Sequence, residues 1–215
     1  LHLLTSAAGA MRTLRRVGVH VRHGAALVAI EGEERVQAAR LASGEAIACD
    51  TVGLNYGFVP QSVLPRMLGA AMRAAGPAGG FAAVHDGWMR ASVPGLWVAG
   101  ETTGVKGAPA AMAEGVLAGL GIALACERIG QNEAERRAAP ARARHRRLRG
   151  FAALLDAVAD PRPWFPPLAT DTLVCRCEDV TCAEVRDALD MGSADSIKRF
   201  TRCGMGPCQG RNCEP

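Results

Sequence analysis

Six of the eight cysteines in this 215-residue chain lie between Cys175 and Cys213. Spread along a small secreted domain, cysteines form a disulfide framework; gathered into one short segment, they favour a metal site. Cys175 and Cys177 are separated by a single residue, a spacing that aims both sulfurs to the same side of an extended loop. Cys208 and Cys213 sit in a segment where Gly204, Gly206 and Gly210 permit backbone turns that other residues resist. Two such loops can close on one centre. Four thiolates are the ordinary way to hold a 2Fe-2S cluster, and N–H groups of glycine-rich turns can hydrogen-bond its sulfurs. Zinc takes the same ligands, but structural zinc sites usually leave about two to four residues between paired cysteines. Cys182 reads as a small buried hydrophobe within a helix. Cys203 stands as an alternative to Cys208 as ligand.

A second constellation lies at residues 95–115, which read as a buried strand, an acidic residue at its end, a glycine-rich loop and a long Ala-rich helix. Pro109 falls in the first turn of that helix, where a missing N–H costs nothing. The order brings the Glu101 carboxylate and a helix amino terminus to one place. Lys106 reads as a solvated loop lysine, and no residue is assigned as catalytic acid or base. The turn-rich loop 55–60 comes directly after a strand, a position where ligands commonly lie in α/β sheets.

The elements that must position these residues are readable in outline. Residues 11–18 form the end of a helix capped by Gly18. Strands are expected at 19–21, 26–30 and 36–41, and a buried strand at 46–54 completes this scaffold. A short amphipathic helix over 62–72 precedes the flexible residues 76–80. A hairpin is expected around 81–84 and the Asp86-Gly87 turn, with a second turn at 92–95. The stretch 131–150 holds seven arginines and His145 between Arg136 and Arg149, is interrupted by Pro140, and reads as a linker or a solvated helix. Pro161, Pro163, Pro166 and Pro167 stiffen the approach to the cysteine segment. Thr181 with Glu184 forms a capping box, starting a helix that runs from Cys182 to about Met191 and stops at Gly192. Ser193 caps a second helix over 194–200.

The composition is that of a soluble globular protein, 49% hydrophobic with few aromatic residues and a net charge of +4. That charge gives no strong reason to expect nucleic acid or an anionic membrane as partner. The Arg-rich stretch also lacks the aromatic residues on which bases stack. The most apolar stretch, 115–126, is too short to span a bilayer, so no membrane span is expected. Thiolate ligands imply a reducing compartment, by default the cytoplasm. The chain opens at Leu1 and stops at Pro215, soon after Cys213, and both ends read as cut.

Cys175-x-Cys177 followed by Cys208-x-x-x-x-Cys213, within Thr-Arg-Cys-Gly-Met-Gly-Pro-Cys-Gln-Gly-Arg, resembles the bacterioferritin-associated ferredoxin-like 2Fe-2S domain, in the version fused to FAD-dependent dehydrogenases. The front half is similar to the carboxyl part of pyridine nucleotide-disulfide oxidoreductase-type flavoproteins, in particular the larger subunits of opine oxidases, dye-linked proline dehydrogenases and hydrogen cyanide synthase. Residues 55–60 and Val98-Ala99-Gly100-Glu101 through Glu114-Gly115 carry that similarity. Many flavoproteins of the wider superfamily have Gly-Asp where this chain has Gly100-Glu101.

The resemblance implies an α/β architecture: a C-terminal fragment of a flavoprotein with two dinucleotide-binding domains, followed by a small, mainly helical 2Fe-2S domain. Its divisions would be 1–54, the rest of a nucleotide-binding domain with a strand meander; 55–130, the C-terminal part of the FAD-binding domain; 131–170, an Arg- and Pro-rich linker; and 171–215, the cluster domain, truncated at its end. FAD would meet Gly100, Glu101, Gly107, Ala108, Ala111 and Met112, with Glu101 on the ribityl chain and the helix amino terminus at the flavin's pyrimidine edge. The cluster ligands would be Cys175, Cys177, Cys208 and Cys213. Implied partners are a small-molecule amine or amino acid substrate, a second oxidoreductase subunit through which any membrane association would run, and an electron acceptor. No G-x-G-x-x-G follows a strand, so the cradle for the flavin pyrophosphate is missing, and this fragment is expected to bind FAD poorly and to be inactive alone. The competing reading is an iron-sulfur electron-transfer or interaction module whose flavin half is non-functional scaffold.

Overall fold

The computed structural model describes residues 2–158, 160–164 and 167–213. It falls into two compact units, Leu1–Asn55 and Tyr56–Pro215. Helices and strands are mixed, and among the described residues every strand pair is antiparallel.

In the first unit, helix α1 (His2–Arg16) ends on Arg15 and Arg16, whose charge suits the negative end of the helix dipole. Gly18, with φ +80°, then turns the chain, and the Val19 N–H reaches back to the Leu14 carbonyl at 2.9 Å. Strands β1 (Leu27–Glu31), β2 (Ala38–Leu41) and β3 (Ala46–Ala48) form a meander in that order. Arg40 on β2 binds Glu31 on β1 through both carboxylate oxygens. Two expectations fail here. Residues 19–21 form no strand, and the buried strand expected over 46–54 ends at Ala48 and is largely exposed. An apolar run becomes a buried strand only between neighbours and under a covering layer. The meander is open enough that Val28 and Ile30 stay exposed.

The second unit starts with helix α2 (Val63–Met67), much shorter than the expected 62–72. Gly69, with φ +75°, stops it, and the Ala70 N–H closes onto the Pro65 carbonyl at 2.9 Å. Met72 is thereby free to open β4 (Met72–Ala74), which pairs with β5 (Phe81–Ala83) around residues 76–80. The next turn is built by Asp86, whose Oδ1 accepts the N–H groups of Trp88 at 2.8 Å and Arg90 at 2.9 Å. Where residues 95–100 suggest a strand, only a bridge between Arg90 and Trp97 forms. A 3-10 turn (Gly100–Thr103) comes next, then helix α3 (Ala108–Ala125), with Pro109 in its first turn as expected.

Helix α4 (Gln131–Val158) occupies the stretch read as a linker or solvated helix, and continues through Pro140. An interior proline costs a helix about 3 kcal/mol, so packing has to hold α4 together. Its inner face carries Ala134 and Ala138, both fully buried, against α3. Met89, Leu117, Ala118, Trp88 and Trp97 complete this core. The Arg142 guanidinium lies 4.3 Å from the centroid of the Trp88 ring, so this arginine covers an aromatic face. Apolar periodicity missed this surface because alanine and a stacked arginine supply it. By length and composition α3 is apolar enough to cross a membrane, exceeding the 115–126 stretch, but it also carries the buried, ion-paired Glu114 and packs on α4.

The cysteine segment forms a small hairpin, β6 (Leu173–Cys175) with β7 (Val180–Thr181), then α5 (Cys182–Asp187), a 3-10 turn (Leu189–Met191) and α6 (Ala194–Thr201). The capping box at Thr181 and Glu184 is formed in both directions, and Ser193 caps α6 through the Ser196 N–H. Gly192 adopts the left-handed conformation that separates the two helices.

The α3–Trp88 packing leaves no room at Gly121, where an added Cβ would lie 2.6 Å from the Trp88 carbonyl oxygen. Gly121→Ala is expected to destabilise the protein by about 1–3 kcal/mol through overpacking, read as a lower urea midpoint with quenched or shifted tryptophan emission.

Candidate functional site

At the amino end of α3, Gly100, Glu101, Gly104, Lys106, Gly107, Ala111 and Glu114 line a shallow hollow. Gly100, Gly104 and Gly107 all hold positive φ, which lets the backbone fold around this space. Four of the expected flavin contacts, Gly100, Glu101, Gly107 and Ala111, are brought together here. Ala108 and Met112 lie on the same first turns of α3 outside that lining, and Met112 is 65% exposed. From the hairpin, Arg73 on β4 donates to the Thr103 carbonyl at 2.9 Å and so ties β4 to the 3-10 turn.

The residue that organises this corner is Glu114, which is 1% exposed. Its Oε2 accepts the Gly100 N–H at 2.8 Å and the Thr103 hydroxyl at 2.7 Å. Its Oε1 accepts from Lys106 Nζ at 2.6 Å and from His145 Nε2, on α4, at 2.9 Å. Lys106 is therefore paired and largely buried, contrary to its reading as a solvated loop lysine. Burial alone would raise the Glu114 carboxyl, but the donors from Lys106, Thr103 and His145 outweigh it and hold the group below the usual glutamate range. Neither Glu114 nor His145 stood out in the sequence as a polar anchor. The available signal was a glutamate inside an otherwise apolar helix, eight residues after one of the chain's two lysines.

Fit for a flavin rests on the polar groups at this corner. The Thr102 hydroxyl is buried beside Glu101 and has no hydrogen-bond partner among the described residues. Glycine backbone and an exposed carboxylate at Glu101 complete a polar cradle at a helix amino terminus.

In the cysteine segment, β6 delivers Cys175, 1% exposed, and the turn after it delivers Cys177. After α6, Arg202 and Gly204 take positive φ, and the chain doubles back so that the Gly204 N–H donates to Cys175 Sγ at 3.4 Å. Arg202 Nε binds Glu178 Oε2 at 2.6 Å, closing the two loops on each other. The sulfurs of Cys175, Cys203 and Cys213 all lie within 4.8 Å of one another. Cys177 and Cys208 lie outside that group and influence each other's ionisation. Of the four expected ligands, Cys175 and Cys213 thus meet together with Cys203, and Cys177 packs against Gly206 of the second loop, while Cys182 is buried in α5 as expected.

The thiols are not equivalent. The Gly204 N–H, helped by those of Glu178 and Cys177, pulls Cys175 below the ordinary cysteine value. Cys208 is lowered by the Asn212 N–H and by Cys177. Cys213 is pushed up to about 11, first by burial and then by its neighbours Cys203 and Cys175. Converging thiols with N–H groups aimed at sulfur fit an iron-sulfur centre.

Known proteins match the two ends of the chain separately. Residues 5–115 match the family described as pyridine nucleotide-disulphide oxidoreductase, and residues 173–215 match the BFD-like [2Fe-2S] binding domain. These matches indicate FAD and a 2Fe-2S cluster as cofactors. An opine oxidase subunit from Rhizobium meliloti (strain 1021) is 40% identical over 169 residues, covering 78% of this chain and 36% of that protein. Hydrogen cyanide synthase subunit HcnB of Pseudomonas aeruginosa is 34% identical over 176 residues, covering 80% of this chain and 38% of that protein. The fold is similar to the crystal structure of L-proline dehydrogenase from P. horikoshii, with a TM-score of 0.66 and 22% identity over 97% of this chain and 40% of that one. The chain thus spans about two fifths of the length of these relatives.

Two outcomes are expected from the geometry. Glu114→Gln leaves Lys106 without its charge partner and should cost about 3–5 kcal/mol at neutral pH, measured by denaturant unfolding. Because the folded carboxyl is lowered, its contribution is present above the ordinary glutamate value near about 4.3 and is lost as pH falls through the folded value, so the gap between wild type and variant narrows only in acid. At Gly206, an added Cβ would lie 2.3 Å from the Cys177 Cβ. Gly206→Ala is expected to lower the iron and sulfide content of anaerobically prepared protein while leaving α3 and α4 folded.

Proposed function

Since the chain belongs to the pyridine nucleotide-disulphide oxidoreductase family and ends in a BFD-like [2Fe-2S] binding domain, we propose that it is the electron-transferring part of an oxidoreductase subunit that draws electrons from an amino acid, imino acid or opine and passes them to an acceptor. The single observation that carries this is the presence, in one chain, of a glycine-lined hollow at the start of α3 and a convergent thiol set at the end. The choice of substrate class is supported by the relatives named for opine oxidation and hydrogen cyanide synthesis. That both are named as subunits supports a partner subunit here. A cytoplasmic location follows from the need to keep the thiols reduced.

When bound, FAD supplies acceptance of an electron pair from substrate and the 2Fe-2S cluster supplies one-electron carriage. Residues of the chain bind and orient them. Glu101 accepts hydrogen bonds from ribityl hydroxyls, while Gly100 and Gly107 allow close approach of the ligand. Ala108, Ala111 and Met112 form the first turns of α3, whose amino terminus favours negative charge on the ring by about 0.3–1 kcal/mol, more where buried. Glu114 positions this loop by fixing Gly100, Thr103 and Lys106. Cys175, Cys177, Cys208 and Cys213 would ligate the irons, and the Gly204 N–H directed at Cys175 would tune the centre.

The test is anaerobic purification of the intact parent protein, with absorption and electron paramagnetic resonance spectra and assays of iron, sulfide and flavin. Iron and sulfide in equal amounts with bound FAD are expected. Zinc in place of iron overturns the ligand assignment. Iron and sulfide without flavin turn the reading into an electron-transfer module on a silent flavin scaffold.

A further inference from the structure

Five thiols converge where four are needed, and they do so unequally. The sulfurs of Cys175, Cys203 and Cys213 form one triangle, within 4.8 Å of one another. Cys177 and Cys208 lie outside that triangle and influence each other's ionisation. In a 2Fe-2S centre held by four cysteines, two sites on each iron are filled by bridging sulfides, leaving two for protein thiolates. Tetrahedral metal–sulfur bonds of about 2.3 Å place the two thiolates of one metal about 3.8 Å apart. The ligands therefore sort into two close pairs. The triangle offers three thiols for two places, which leaves Cys177 and Cys208 for the other iron.

We infer that Cys203 is a reserve ligand that substitutes for Cys213 at one iron, and not for Cys208. This rests on the cluster assignment made above. Cys175 is fixed on its side, buried and holding the Gly204 N–H, so the second place lies between Cys203 and Cys213. The two reach it from different elements. Cys203 is positioned by α6, its N–H donating to the Thr201 hydroxyl at 3.1 Å. Cys213 arrives at the end of the glycine turn, its N–H bonded to the Gly210 carbonyl at 3.2 Å. Ligation by Cys208 and Cys213 anchors both ends of that turn on the centre, which favours Cys213 as resident. In the exchange, the iron–sulfur bond to Cys213 would break and one to Cys203 would form. The proton of the incoming thiol passes to the outgoing thiolate, and the iron, sulfide and electron counts stay unchanged. The sequence alone set Cys203 against Cys208, five residues away in the same segment; the fold groups it with Cys175 and Cys213.

The test uses the full chain, prepared anaerobically as wild type, C203A, C213A, C203A/C213A and C208A, with iron and sulfide per chain and the electron paramagnetic resonance spectrum of the reduced protein as readouts. C203A is expected to load like wild type with an unchanged spectrum. C213A is expected to keep roughly half or more of the wild-type iron with a shifted spectrum, while C203A/C213A and C208A fall about tenfold or more. C213A as empty as the double variant, C208A that stays loaded, or C203A that empties would each overturn the inference. If C213A does not fold by circular dichroism, C213S compared with C203A/C213S decides by the same measure, equal loading counting against Cys203. Wild type without iron and sulfide removes the cluster assignment itself, which separates that failure from failure of the reserve-ligand inference.

Discussion

A carboxylate taken out of water must be surrounded by donors, and the flavin-side half of the second unit is arranged around that demand. Glu114 sits on the buried face of α3 and draws in four donors: the Gly100 N–H, the Thr103 hydroxyl, Lys106 and His145. The first three fold the 95–107 segment into a glycine-lined hollow, with Arg73 bracing it from the hairpin. The fourth fastens α4 against α3. Without that fastening and the Ala134–Ala138 face, a helix rich in arginine and interrupted by Pro140 would have little reason to lie where it does.

The cysteine corner obeys a different constraint, the convergence of soft, bulky sulfurs from two loops. Local capping does much of this work. Thr181 and Ser193 start α5 and α6 at set points, and Gly192 sets the turn between them. The two cysteine loops are thereby returned to each other across a short, rigid module. Gly206 has no side chain because the Cys177 Cβ occupies that space. N–H groups directed at Cys175 and Cys208 lower those thiols, while burial raises Cys213, so the sulfurs differ in readiness to lose a proton.

The contrast between the two halves explains what could be read in advance. The capping box, the helix after Ser193, Pro109 at the start of α3 and the closing of two cysteine loops all depend on neighbours within a few residues. The failures depended on distant neighbours. The strand expected over 46–54 required flanking strands and a covering layer, which the described residues do not supply. The helix expected over 62–72 gave way at Gly69 because Met72 finds a partner in Ala83. Lys106 looked solvated because its partner lies eight residues along the chain on the inner face of another element.

By itself the sequence determined the family, the two cofactors and the cysteine segment as the seat of the cluster, because residue types and short spacings encode them directly. It also marked Gly100, Glu101 and the start of α3 as one locus. Only the tertiary structure decided that Glu114 and His145 tie that locus to α4, and that Arg142 covers a tryptophan face. It alone set Cys203 in one group with Cys175 and Cys213. Chain order says which residues are close in sequence, but burial and the sharing of a donor, a ring face or a metal are settled by how separate elements meet.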